Sequence, residues 1–169
     1  MTDLHGSGKS TTALGLAYQL KIAGYKVESL TEWVKEKVLS NDLIVIKDQI
    51  YIFAKQRRKQ FILQNKGLDF IITDSPLLLS AFYGEKYNTT DSLLTSLIFQ
   101  EYNKFDNINF FLKRTNPFDS FGRLENEMQS DQDHTNMLEF LSNNEIDYTY
   151  VDDSDKTIQI IKFLNLGNK

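Results

Sequence analysis

The chain has 169 residues, of which 41% are hydrophobic and 25% charged, with no cysteine and a formal net charge of −4. That length and balance suit one domain, residues 1–169, of ordinary globular composition. They exclude disulfides and thiolate metal sites, offer no global field towards nucleic acid, and contain no apolar run long enough to span a bilayer and no signal-peptide pattern, so a cytoplasmic location is expected and neither nucleic acid nor membrane is an expected partner.

The first distinctive stretch is HGSGKST, His5 to Thr11, followed by Ala13, Leu14, Leu16, Ala17 and Leu20 at helical spacing. It reads as the second half of a phosphate-binding loop running into a helix over 10–23 that ends at Gly24. Glycines let successive N–H groups curl towards an anion, and the helix N-terminus adds partial positive charge. On this reading His5, Gly6, Ser7, Gly8, Lys9, Ser10 and Thr11 form the nucleotide cradle. Lys9 reaches the β- and γ-phosphates, and the Ser10 hydroxyl holds magnesium. The full pattern G-x-x-x-x-G-K-[ST] has glycine where Asp3 stands. Such a loop follows a buried strand of about 5–6 residues, and the chain leaves no room for one ahead of the motif. A truncated start is expected on that ground, with a degenerate relative of impaired nucleotide binding as the alternative.

Lys26 to Leu30 reads as a short strand, and Thr31 as the N-cap of a helix that opens with Glu32. Glu32 thus sits where the carboxyl end of a strand meets a helix, the place where open α/β sheets bind ligands. A helical pattern runs from Leu43 to about Asn65, with Arg57, Arg58 and Lys59 read as a solvated basic face; Gln56 and Gln60 could reach a base or amide edge, although nothing in the sequence selects them. Phe70-Ile71-Ile72-Thr73-Asp74 reads as a buried parallel strand ending in a carboxylate that would hold magnesium or orient an acceptor hydroxyl. Leu77–Tyr83 reads as a short helix after Pro76 and Gly84–Thr90 as a polar loop. Thr90 or Asp91 caps a helix to about Lys104, and Asn107–Lys113 is a core strand. Residues 114–130, with Arg114, Pro117, Gly122 and Arg123, suit a phosphate-clamping lid. A helix over 131–143, a strand over 147–151 and a helix over 154–164 capped by Ser154 complete the pattern. His5 and His134 have no metal-ligand spacing, and Trp33, Phe82, Tyr83 and Tyr87 are read as packing residues before base-stacking ones.

The combination HGSGKST, TEWVKE, FIITDSP and KRTNPFDSFGRLENE resembles the P-loop nucleoside and nucleotide kinases, within them the small AAA-type ATPase/kinase domains that include nicotinamide riboside kinase domains. The resemblance implies a three-layer α/β sandwich, with a parallel sheet in the order 2-3-1-4-5 lacking its first strand and helices on both faces. It implies ATP and Mg²⁺ as cofactors, bound by Lys9 and Ser10, with Asp74 at the third strand's end. Glu32 matches the residue that accepts the acceptor's proton, and Arg114 and Arg123 match lid arginines. Many relatives place arginine after the strand-end Asp, where this chain has Ser75. The implied activity is ATP-dependent phosphorylation of a nucleoside, nucleotide or riboside. The alternatives are an NTPase or nucleotide-binding module without transfer, and a degenerate interaction protein. Oligomeric state, a homodimer included, is left open.

Overall fold

The computed structural model describes residues 7–31, 37, 40, 42–114 and 127–167. Among them are seven helices and four strands: α1 (Lys9–Ile22), β1 (Val27–Leu30), α2 (Leu43–Lys47), α3 (Gln49–Leu63), β2 (Phe70–Thr73), α4 (Leu78–Tyr87), α5 (Ser92–Tyr102), β3 (Phe110–Leu112), α6 (Glu127–Asn143), β4 (Thr149–Val151) and α7 (Lys156–Leu164). No helix among these residues is long and apolar enough to cross a membrane.

The strands do not form the single parallel sheet expected of a P-loop sandwich. β1 pairs in parallel with β2, from Val27 opposite Phe70 to Leu30 opposite Thr73. β3 pairs in parallel with β4, from Phe110 opposite Thr149 to Leu112 opposite Val151. These are two separate two-stranded sheets, and the architecture is mixed α/β. The reason is spatial. A strand ladder needs its neighbour about 4.7–4.9 Å away. Instead, a cleft of about 650 Å³ opens beside both β2 and β3, lined among others by Phe70, Ile71, Ile72, Ile108 and Phe110.

Helices cover the strands through two apolar clusters. α1 gives Ala13, Leu16, Ala17 and Leu20, and α7 gives Ile160, to a cluster that also holds Val27, Ile72, Phe110, Leu112 and Val151. The second cluster joins Phe53 of α3, Leu78 and Phe82 of α4, Ile98 of α5 and Met137 and Leu141 of α6 with Phe111. The alternation Phe110-Phe111-Leu112 therefore sends side chains to opposite faces, as period-two strand geometry requires. All three are buried, at about 1.5–3 kcal/mol for each fully buried large side chain.

Several expected boundaries move for local reasons. α1 closes as expected on Gly24, at φ 91°, with Tyr25 N–H donating to the Leu20 carbonyl at 3.0 Å and Gly24 N–H to that of Lys21 at 3.1 Å, a Schellman closure. The long helix expected over 43–65 is two helices. Asp48 leaves helical geometry at ψ 78° and its side chain accepts from Tyr51 N–H at 3.0 Å, capping α3. The polar loop expected from Gly84 is helical to Tyr87, and Asn88, at φ 51°, ends it. Gly84 serves close packing there, because a Cβ would collide with the Thr90 side chain. Asp91 caps α5, accepting from Leu94 N–H at 2.9 Å. α6 is already helical at Glu127, ahead of the expected 131, so the last residues of the expected lid are helical, while 115–126 lie outside the described residues. Asp155, not Ser154, caps α7, accepting from Ile158 N–H at 3.0 Å.

Candidate functional site

The motif residues at the start of α1 meet the end of β2. Asp74 follows the last β2 residue directly, and Leu30 opposite Thr73 brings the carboxyl end of β1 alongside. The Ser10 hydroxyl, in the first turn of α1, donates to Asp74 Oδ2 at 2.6 Å. These residues stand 64 positions apart in sequence, so tertiary folding alone joins them.

Gly8 occupies the N-cap position of α1 in the left-handed region, at φ 85° and ψ 21°, which L side chains adopt only at a cost. No side-chain cap is made there, and the first turn of α1 carries no acidic residue. The amides and partial positive charge of such a helix end can meet an anion. Lys9 is the first helical residue and is half-buried.

Burial sharpens the picture. Asp74 is 2% exposed and Ser7 1%. Asp74 Oδ1 and Ser7 Oγ are buried without a hydrogen-bond partner among the described residues. A buried polar oxygen without a partner costs about 1–3 kcal/mol, and native folds leave few of them. Both oxygens lie at the N-terminal end of α1, where a ligand's cation and donors would relieve them.

One carboxylate with a neighbouring hydroxyl would suit magnesium completed by phosphate oxygens and water; no group of three or more His, Cys, Asp or Glu able to hold a metal by itself occurs among the described residues. Ser10 and Asp74 are the residues that would hold the magnesium.

Other expected site residues fall elsewhere. His5, Gly6, Glu32, Trp33 and Arg123 lie outside the described residues. Thr11 is exposed on the first turn of α1. Arg114 is engaged with α6, Nη2 donating to Asp131 Oδ1 at 2.5 Å and lying 3.5 Å from Glu127 Oε1. Of the basic face on α3, Arg57 donates to Glu101 Oε2 at 3.0 Å and Lys59 to the Thr31 carbonyl at 3.2 Å, both structural contacts. Phe82 is core, and Tyr83 stacks on Tyr87 with centroids 5.8 Å apart.

The structure selects Gln56, which the sequence left undistinguished. Gln56 is 7% exposed on the inner side of α3 and Ser75 is 5% exposed. Gln56 Nε2 donates to Ser75 Oγ at 2.6 Å. The available signal was its spacing, four residues after Ile52 and three after Phe53, on the buried face of the helix.

No protein-family model matches the chain, and no curated protein matches its sequence.

Proposed function

We propose that this chain binds a magnesium–nucleoside triphosphate, ATP in the first instance, on the Ser7–Thr11 turn and Asp74, and transfers its γ-phosphoryl group to a small acceptor of nucleoside, nucleotide or riboside type. The observation that supports this most is the 2.6 Å hydrogen bond from Ser10 to Asp74, which brings the loop hydroxyl and the strand-end carboxylate of the sequence reading to one point. Phosphoryl transfer asks chiefly for positioning and charge neutralisation. The open N-terminus of α1 and Lys9 would meet the phosphates, and Ser10 with Asp74 would hold the metal. When bound, magnesium supplies charge neutralisation on the phosphate oxygens and orients them. The compartment proposed is the cytoplasm.

Calorimetric titration of the chain with Mg-ATP, beside a Lys9→Ala variant shown by circular dichroism to be folded, tests the binding step. Binding by the parent that weakens at least about tenfold in the variant, roughly 1.4 kcal/mol, is the expected result. A folded parent that binds no nucleotide overturns the reading. Screening nucleosides, nucleotides and ribosides for phosphorylation then tests transfer. A second reading, hydrolysis without transfer, draws support from Arg114 being engaged on α6; phosphate release with no acceptor modified is the outcome that selects it.

A further inference from the structure

We infer that Gln56 is a positioning residue for the metal carboxylate, acting through Ser75; the inference rests on the nucleotide-binding reading above. Asp74 lies between two pinned neighbours. On one side Thr73 is fixed by its register opposite Leu30 in the β1–β2 ladder. On the other, Ser75 N–H donates to Thr73 Oγ1 at 3.0 Å, folding the backbone back on the strand end, while Ser75 Oγ accepts from Gln56 Nε2 at 2.6 Å. The turn that presents Asp74 is thereby tied to α3 as well as to β2.

The choice of a glutamine there has a cost that packing alone does not explain. The buried side chains of α3 include Ile52 and Phe53 beside Gln56, and an apolar residue of the same length would fill the position. Gln56 Oε1 is buried with no hydrogen-bond partner among the described residues. Half of the amide is therefore left unsatisfied so that the other half can reach Ser75. Asp74 Oδ1 is buried and unpartnered one residue away. With Oδ2 on Ser10, the carboxylate's aim depends on the backbone that carries it, and the Gln56–Ser75 bond holds that backbone. Groups that orient a metal ligand from behind affect metal binding without touching the ion.

The test measures ATP affinity twice, with excess magnesium and with EDTA, on the parent chain, Gln56→Met, Ser75→Ala and the double variant. The ratio of the two affinities reports the metal's contribution. A change that only loosens the fold lowers both affinities by the same factor and leaves the ratio alone. Each single variant is expected to cut the ratio roughly two- to tenfold, the range of one net hydrogen bond, with the double variant no worse than the singles because both remove one interaction. Melting curves establish that each variant is folded, and Ser75→Ala, the smaller change, carries the test by itself if Gln56→Met does not fold. Variants with the parent's ratio overturn this inference and leave the nucleotide reading standing. A parent that binds no ATP overturns both.

Discussion

Replacing Asp74 by Asn should raise the stability of the nucleotide-free protein while removing its response to nucleotide. Asp74 is 2% exposed and its carboxylate is bonded through Oδ2 to Ser10, with Oδ1 unpartnered among the described residues. Asn keeps the shape and an oxygen to accept from Ser10, and it removes the charge from a buried place. Its Nδ2 takes the unpartnered place of Oδ1, so the relief is that of burying a neutral group instead of a charge, about 1 kcal/mol net. At about 2–4 °C per kcal/mol for a chain of this size, that raises Tm by about 2–4 °C. Mg-ATP at one hundred times its Kd would add about 2.7 kcal/mol, roughly 5–11 °C, to the parent, and next to nothing to the variant. Scanning calorimetry of both proteins with and without Mg-ATP reads all four values. An Asn variant that melts below the parent without nucleotide would mean that the carboxylate holds the fold together, as a plain cap does. A variant that gains as much from Mg-ATP as the parent removes Asp74 from the site.

Gly84→Ala should destabilise the chain by about 1–3 kcal/mol, because the new methyl meets the Thr90 side chain; adding Thr90→Ala should recover part of the loss, and a single variant with an unchanged Tm refutes the close packing. Glu101 is held below its ordinary value of 4.5, first by the hydrogen bond from Lys104, against burial, and then by the hydrogen bond and charge of Arg57. A carboxylate lowered in the fold contributes stability above about pH 4.5 that is lost as the pH falls through its folded value. Glu101→Gln should therefore cost about 0.5–1 kcal/mol at neutral pH, and the difference should shrink as the pH falls below about 4.5, as denaturant melts at neutral and at acid pH would show. An equal cost at both would assign the effect to packing.

What the sequence revealed about the site was what local chemistry dictates. A Gly-Ser turn before an apolar helix, and an apolar run ended by Asp, are neighbour effects; that Ser10 donates to Asp74 is set by the tertiary fold. Gln56 was hidden because helical spacing shows that a residue faces inward, not what it meets there; its partner Ser75 lies 19 residues on. The break at Asp48 was written in the chain as an N-cap residue inside a helical period, and the apolar spacing on either side masked it. At Ser154-Asp155 two adjacent residues could both cap a helix, and the choice of Asp155 depends on backbone geometry. Gly84 reads as a helix stop by propensity, yet contact with Thr90 overrides propensity.

The separation of the sheets gives α1 a double task. Two-stranded units are marginal alone and need packing partners, and parallel strands need cover. One cluster ties Val27 and Ile72 from the first sheet to Phe110, Leu112 and Val151 from the second, and the side chains bridging them include Ala13, Leu16, Ala17 and Leu20 of α1 and Ile160 of α7. The helix that bridges the sheets is the same helix whose N-terminus carries Gly8, Lys9 and Ser10. Its register against the strands therefore sets where Ser10 meets Asp74. A core change in α1, such as Leu16→Ala at 4% exposure, would act on stability and on the aim of the loop together.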